Sequence, residues 1–179
     1  MQTNILVLGL GNLLLGDDGL GIRALELLQD HYELPPNVAC VDGGVLGLEL
    51  MAYVEGRSHL LAIDAVQTGG QPGTLVRLEG DEIPRSLTFK LSMHQVSFAD
   101  ILALSLLRGT APPRLVVWGI VPAVLESGVA LSDTVEARLG ELVEKVALEL
   151  RQWGIAVSPK STGPEFSSLG QMLKRGGAR

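Results

Sequence analysis

The sequence predicts an α/β fold, a three-layer α/β/α sandwich around a mostly parallel, twisted sheet of about five strands. Five short apolar runs rich in β-branched residues alternate with segments of helical spacing, a pattern typical of parallel strands joined by helices. Several runs are apolar on both faces, as strands covered by helices on both sides must be. The runs span residues 4–8, 38–41, 60–66, 74–78 and 115–121.

Four other segments carry the three-and-four spacing of amphipathic helices. They cover about residues 20–28, 45–54, 94–107 and 135–150. The last segment is the clearest, because Ser132 and Asp133 can cap its start and Gly154 can end it. We therefore expect four helices, with the third one opening at His94.

The chain length fits one domain with one hydrophobic core. Of its 179 residues, we assign 1–157 to a single α/β domain. Residues 158–179 turn to Ser, Gly, Pro, Lys and Arg without periodicity, and we expect a disordered basic tail there. The polar connection over residues 79–93 is long, and such loops in compact domains are usually functional or mobile.

Composition argues against several classes of protein. A hydrophobic content of 46% is too high for a disordered chain, and a net charge of -6 disfavours a broad nucleic-acid surface. No apolar run approaches the roughly 20 residues of a membrane span, and the N-terminus lacks the basic segment of a signal peptide. We expect a soluble, cytoplasmic monomer. The single cysteine, Cys40, lies in an apolar run and is expected to be a small core residue.

Three polar groups lie where a parallel sheet gathers its loops, beyond the carboxyl ends of strands. The first strand runs into a glycine-rich stretch with Asp17 and Asp18, the third ends at Asp64, and His94 follows the long connection. Each has a plainer alternative, since Asp17 or Asp18 could cap a helix and His94 could simply open one. Together, two carboxylates and one imidazole suit a divalent transition metal with an open coordination position. The residues alone indicate a metal site and leave the reaction open.

The glycines after the first strand admit another interpretation. Gly9 and Gly11 could begin a dinucleotide fingerprint, but the third glycine of that pattern falls on Leu14. A Rossmann-like nucleotide-binding module therefore stays an alternative, as does a metal-sensing assembly chaperone that does not cleave.

Several blocks of the sequence resemble a known family. Residues 9–21, GLGNLLLGDDGLG, closely resemble the N-terminal signature of hydrogenase maturation endopeptidases. Further blocks that begin at Asp42, Asp64, Ser92 and Gly119 resemble family blocks in the same order and at fitting spacing. The resemblance covers about residues 4–157.

The resemblance implies an endopeptidase that removes the C-terminal extension of a [NiFe] hydrogenase large subunit after nickel insertion, as a maturation checkpoint. It implies that Asp18, Asp64 and His94 coordinate the metal and are the catalytic residues. The metal would be nickel carried by the large-subunit precursor, although other divalent metals can substitute. Because no HExxH pair or G-x-S-x-G elbow is present, we expect the metal to polarise the scissile carbonyl or activate water. Asp17 would then orient a ligand or act as a base.

Overall fold

The central sheet has five strands, four of them parallel. The structure, a computed structural model, describes residues 4–44, 46–80, 82–83 and 97–161. Its strands are β1 (Ile5–Leu10), β2 (Tyr32–Glu33), β3 (Val38–Gly44), β4 (His59–Ala65), β5 (Leu75–Glu79), β6 (Arg114–Ile120) and β7 (Ser158–Pro159). The central sheet has the order β3-β1-β4-β6-β5, in which only β5 runs antiparallel to its neighbour. The predicted sheet is confirmed.

Helices cover both faces of this sheet. They are α1 (Leu20–His31), α2 (Leu50–Val54), α3 (Phe98–Leu107) and α4 (Asp133–Gln152). Ile5 and Val7 of β1 belong to a core with α1 and α4, whereas Leu6 and Leu8 belong to a core with α2 and α3. The three layers follow from this alternation, because successive side chains of a strand point to opposite faces. In the described part of the chain, no helix combines the length and apolar character that crossing a membrane requires.

The helix starts show how local hydrogen bonding sets boundaries. α4 begins as predicted, with the Ser132 hydroxyl accepting the Val135 N–H. α3 begins at Phe98 and not at His94, because Ser97 and Asp100 form a capping box in which each side chain accepts the other's N–H. His94 itself lies outside the described residues. The second helix is also shorter than expected, since a 3-10 turn at Gly47–Glu49 precedes α2.

The ordered chain continues past residue 157, where the tail was expected to begin. β7 pairs antiparallel with β2, and the Lys160 N–H donates to the His31 carbonyl at 2.8 Å. The Lys160 ammonium also donates to the Gln29 carbonyl at 2.6 Å. Backbone pairing thus holds residues 158–160, within the segment expected to be a tail, against the end of α1 and β2. The remainder of the expected tail, residues 162–179, lies outside the described residues.

Candidate functional site

Glycines let the start of α1 pack against the ends of two strands. β1 and β4 pair in parallel up to Gly9 and Ile63. A Cβ atom on Gly21 would lie 2.2 Å from the Ile63 carbonyl oxygen, and one on Gly9 would lie 2.7 Å from the Gly21 carbonyl oxygen. Only glycine permits backbones to approach this closely. The N-terminal turn of α1 therefore lies against the residue that precedes Asp64.

Asp18 is fixed beside the carboxyl end of β1. It lies in the 3-10 turn Gly16–Gly19, and its Oδ2 accepts the Asn12 N–H at 2.8 Å. Gly11 has a φ of 115°, and a Cβ atom there would lie 1.7 Å from the Asp18 carbonyl oxygen. The loop closes onto Asp18 only because position 11 is glycine. The carboxylate is half-buried at this strand end.

Asp64 is buried near the end of β4. Its Oδ1 accepts the N–H of the next residue, Ala65, at 2.8 Å. Across the sheet it pairs with Gly119 of β6, where a Cβ atom would lie 2.2 Å from the Asp64 carbonyl oxygen. Backbone therefore closes around Asp64 on the β6 side, while β1 and the start of α1 lie on its other side.

The predicted site residues are thus partly brought together. Asp18 and Asp64 lie at the carboxyl ends of adjacent parallel strands, and each accepts a backbone N–H through one oxygen. The third predicted residue, His94, lies outside the described residues, so the complete trio stays a prediction. Within the described ranges no group of three His, Cys, Asp or Glu side chains is arranged to hold a metal ion. Two carboxylates with one imidazole remain a suitable donor set for a divalent transition metal.

Asp17 is buried and connects two loops beside the candidate site. The side chain is fully buried, and its Oδ2 accepts the N–H groups of Ala123 and Val124, both at 2.8 Å. The Ser132 hydroxyl donates to the same oxygen at 2.9 Å, and the Ser132 N–H donates to Oδ1 at 2.7 Å. Burial alone would raise the pKa of Asp17, but these four hydrogen bonds outweigh it and hold the pKa below its usual value. The carboxylate thus joins the turn before α1 to the segment before α4, and its expected role as a base or as the orienter of a metal ligand stays a prediction.

Cys40 is half-buried at the margin of the core and does not lie within it. It lies on β3, pairs with Val7 of β1 and packs against the core on the α1 and α4 side. Burial raises the pKa of its thiol to about 11, so the thiol stays protonated near neutral pH.

Comparison with known sequences identifies the family of this chain. The family model for hydrogenase maturation protease matches residues 22–149. The chain is 40% identical over 157 residues to the hydrogenase 2 maturation protease of Escherichia coli, a match that covers 87% of this chain and 96% of that protein. It is 39% identical over 173 residues to the hydrogenase expression/formation protein HupM of Azotobacter chroococcum, covering 96% of this chain and 83% of the relative.

Comparison with solved structures identifies the same family. The hydrogenase maturating endopeptidase HybD from E. coli superposes with a TM-score of 0.84 at 38% identity, covering 90% of this chain and 100% of that one. The [NiFe] hydrogenase maturation protease HybD from Thermococcus kodakarensis gives a TM-score of 0.61 at 28% identity, covering 83% and 99%. By sequence and by fold, the chain belongs to the hydrogenase maturation protease family, whose members hydrolyse peptide bonds.

Proposed function

We propose that this chain removes the C-terminal extension of a [NiFe] hydrogenase large-subunit precursor once nickel has been inserted. The family gives the class of reaction, proteolysis in hydrogenase maturation. The observation that supports the site is the pair Asp18 and Asp64, held at neighbouring strand ends by backbone N–H groups and glycine packing. In this proposal the two carboxylates and His94 bind the metal and place the scissile peptide beside it.

The nickel belongs to the substrate in this proposal. Two carboxylates and an imidazole include no thiolate, so they should hold a free divalent ion only weakly. A nickel ion already anchored in the precursor needs only that these groups complete its coordination shell. The same contacts then favour the loaded precursor and reject the empty one, which makes the protease a checkpoint. The chemistry that nickel, or another divalent metal in its place, supplies there is polarisation of the scissile carbonyl.

The proposal is tested with large-subunit precursor prepared with and without nickel. Each form is incubated with the purified protease and a chelator too weak to strip the assembled site, and the precursor mass is measured before and after. Only the nickel-loaded form should become shorter. Equal shortening of both forms would contradict the checkpoint, and tightly bound zinc in the purified protease would indicate an ordinary metalloprotease. A nickel-dependent complex without any change in mass would instead support a non-cleaving chaperone.

Variants test the three residues in the same assay. Asp18→Asn, Asp64→Asn and His94→Ala should each reduce processing at least about 100-fold, because each removes a fixed contact to the metal. Asp133→Asn is the matched control, since this exposed carboxylate lies in the first turn of α4. Circular dichroism checks that every variant folds. Full processing by a folded variant removes that residue from the site.

A further inference from the structure

Two loops beside the candidate site carry an exposed apolar surface. Leu14 and Leu15 come from the loop after β1, and Val124, Leu125 and Val129 come from the segment before α4. Their exposed fractions range from 37 to 64%. We refer to these five residues as the apolar platform. Contiguous exposed apolar surface on a soluble domain commonly marks an interaction site.

Backbone hydrogen bonds place the two loops side by side. The Gly128 N–H donates to the Leu14 carbonyl at 3.0 Å, and the Gly16 N–H donates to the Gly128 carbonyl at 2.8 Å. These bonds form a parallel bridge between Leu15 and Gly128. Gly16 fits tightly, since a Cβ atom there would lie 3.1 Å from the Val124 carbonyl oxygen.

Two side chains, one buried and one at the surface, hold the backbone of the platform further. Beneath it, the Asp17 carboxylate accepts the Ala123 and Val124 N–H groups, and Arg23 of α1 donates to the Val129 carbonyl. Apolar side chains on a backbone held in this way are ordered before a partner arrives, which lowers the entropic cost of association. The platform is therefore a pre-ordered apolar surface that is suited to contact with a partner.

The platform is continuous with the candidate site. Asp17 beneath it is adjacent to Asp18, and Asn12, whose N–H donates to the Asp18 carboxylate, also accepts the Leu14 N–H through Oδ1 at 2.9 Å. Two residues of extended chain span about 7 Å, so Leu14 begins within that distance of the Asn12 backbone. A folded protein whose cleavage segment reaches Asp18 and Asp64 must therefore come close to the platform.

We propose that the apolar platform is the docking surface for the folded body of the hydrogenase precursor, through an apolar patch beside its cleavage segment. The inference rests on the proposed function, because it takes a folded protein as the substrate. The carboxylates would then recognise the metal, and the platform would supply affinity for the protein that carries it. Removal of apolar surface from water is the dominant favourable contribution to most protein association.

The experiment uses the double variant Leu14→Ser/Val129→Ser. Both side chains are largely exposed, so the variant should fold and unfold like the wild type. With nickel-loaded precursor we expect KM to rise about tenfold or more while kcat stays unchanged, since binding is weakened and the metal contacts are kept. The matched control is Leu106→Ser/Leu107→Ser at the C-terminal end of α3, where both leucines are exposed. They lie just before β6 begins and hence toward the opposite, amino-terminal edge of the strands.

The outcomes separate this inference from the proposed function. If the wild type shortens the precursor and the double variant keeps the wild-type KM, the platform is not the docking surface, while the proposed function stands. If the wild type does not shorten the precursor, the proposed function fails. Titration of labelled precursor then tests the docking surface, because the double variant should bind the precursor more weakly than the wild type does. Sedimentation of the protease alone gives a further check. Self-association of the wild type that the double variant loses would overturn the inference, because a second copy would then cover the platform.

Discussion

Among the carboxylates that are buried in the described residues, Asp17 and Glu149 are held in two different ways. Asp17 is held by peptide N–H groups and one hydroxyl, all from a single segment before α4. Glu149 of α4 instead forms a two-point ion pair with Arg77 of β5, with N–O distances of 2.8 and 2.9 Å. It also accepts the indole N–H groups of Trp118 and Trp153, both at 3.1 Å. Glu149 is thus paired with a cationic side chain, whereas Asp17 is held by hydrogen bonds from neutral groups.

The difference lies in what each carboxylate connects. Glu149 joins β5, β6 and α4, which sheet pairing and core packing already hold together. Asp17 joins the turn before α1 to a segment without regular structure, so the order of that segment depends in part on the carboxylate. Glu149 should therefore matter for stability alone. Asp17 should matter for stability and also for activity, because the loops that it joins include Asp18 and the apolar platform.

The largest expected effect on stability comes from Glu149→Ala. It leaves two indole N–H groups without their acceptor and removes one of the two carboxylates that Arg77 contacts. Arg77 is partly exposed and keeps its ion pair with Glu79. We therefore expect a loss of about 3 kcal/mol in the free energy of unfolding, at the lower end of the range for a broken buried ion pair. Urea unfolding followed by circular dichroism measures it. Processing per folded molecule should stay at the wild-type level.

Glu144→Ala is the control for this variant, because Glu144 lies on the same helix and is exposed. It should change the free energy of unfolding by less than about 0.5 kcal/mol. A marked loss of processing in correctly folded Glu149→Ala would break the comparison, since the β5 and α4 region would then contribute to the site.

The next effect is expected from Asp17→Ala. The change removes the acceptor of three backbone N–H groups and the Ser132 hydroxyl, but water can reach part of the exposed loop, so we expect a loss of about 2 kcal/mol. Hydrogen exchange of the Ala123 and Val124 amides should accelerate as the loop loosens. Processing should fall about tenfold even in the folded fraction, because Asp18 and the platform lose their support.

Asp17→Asn should be milder, since its amide oxygen can still accept some of these hydrogen bonds. Glu136→Ala, an exposed carboxylate of α4, is the control. Unchanged amide exchange together with full processing in Asp17→Ala would show that the segment is ordered without the carboxylate.

The contrast between these carboxylates also shows what the sequence could predict. Buried strands could be predicted because continuous apolar runs such as residues 4–8 are typical of strands covered on both faces, and β1 differs from that run by two residues at most. Asp17, Asp18 and Asp64 were candidates because topology gathers loops at the carboxyl ends of parallel strands, and the resemblance to the endopeptidase family selected Asp18 and Asp64 among them. The strands were therefore predicted from local pattern, whereas the choice of site residues also depended on the family motif.

Contacts between distant parts of the chain could not be predicted in this way. The donors to Asp17 lie 106 to 115 residues further along, and Arg77 and Glu149 are 72 residues apart. Nothing in the local sequence distinguishes Asp17 from a helix-capping acid. The two-residue strands β2 and β7 were missed for the same reason, because tertiary pairing creates them without any periodicity. The start of α3, by contrast, could have been predicted from the sequence, because Ser97 and Asp100 have the spacing of a capping box.

The smallest expected effect is a difference in pH dependence between the two carboxylates. The pKa of Glu149 is lowered chiefly by its hydrogen bonding with Arg77, against the effect of burial, and the pKa of Asp17 is also lowered. A carboxyl group whose pKa is lower in the folded chain stabilises the fold fully above its unfolded pKa. That stabilisation is lost as the pH falls through the folded value. Both contributions should therefore be complete at pH 7 and decline in acid.

The order of decline distinguishes the two groups. The ordinary pKa values are 4.5 for Glu149 and 3.8 for Asp17, so the contribution of Glu149 should begin to fall at the higher pH. Urea unfolding of wild type, Glu149→Gln and Asp17→Asn at about pH 7, 5, 4 and 3 measures this across the range in which the unfolded carboxyl groups titrate. Each amide variant lacks the titrating group, and its difference from the wild type should shrink as the pH falls, first for Glu149→Gln. A difference for Asp17→Asn that stayed constant down to the lowest pH would contradict a lowered pKa of Asp17. The unfolded carboxyl group takes up its proton within this range, and the difference can stay constant only if the folded group takes up its own proton at the same pH.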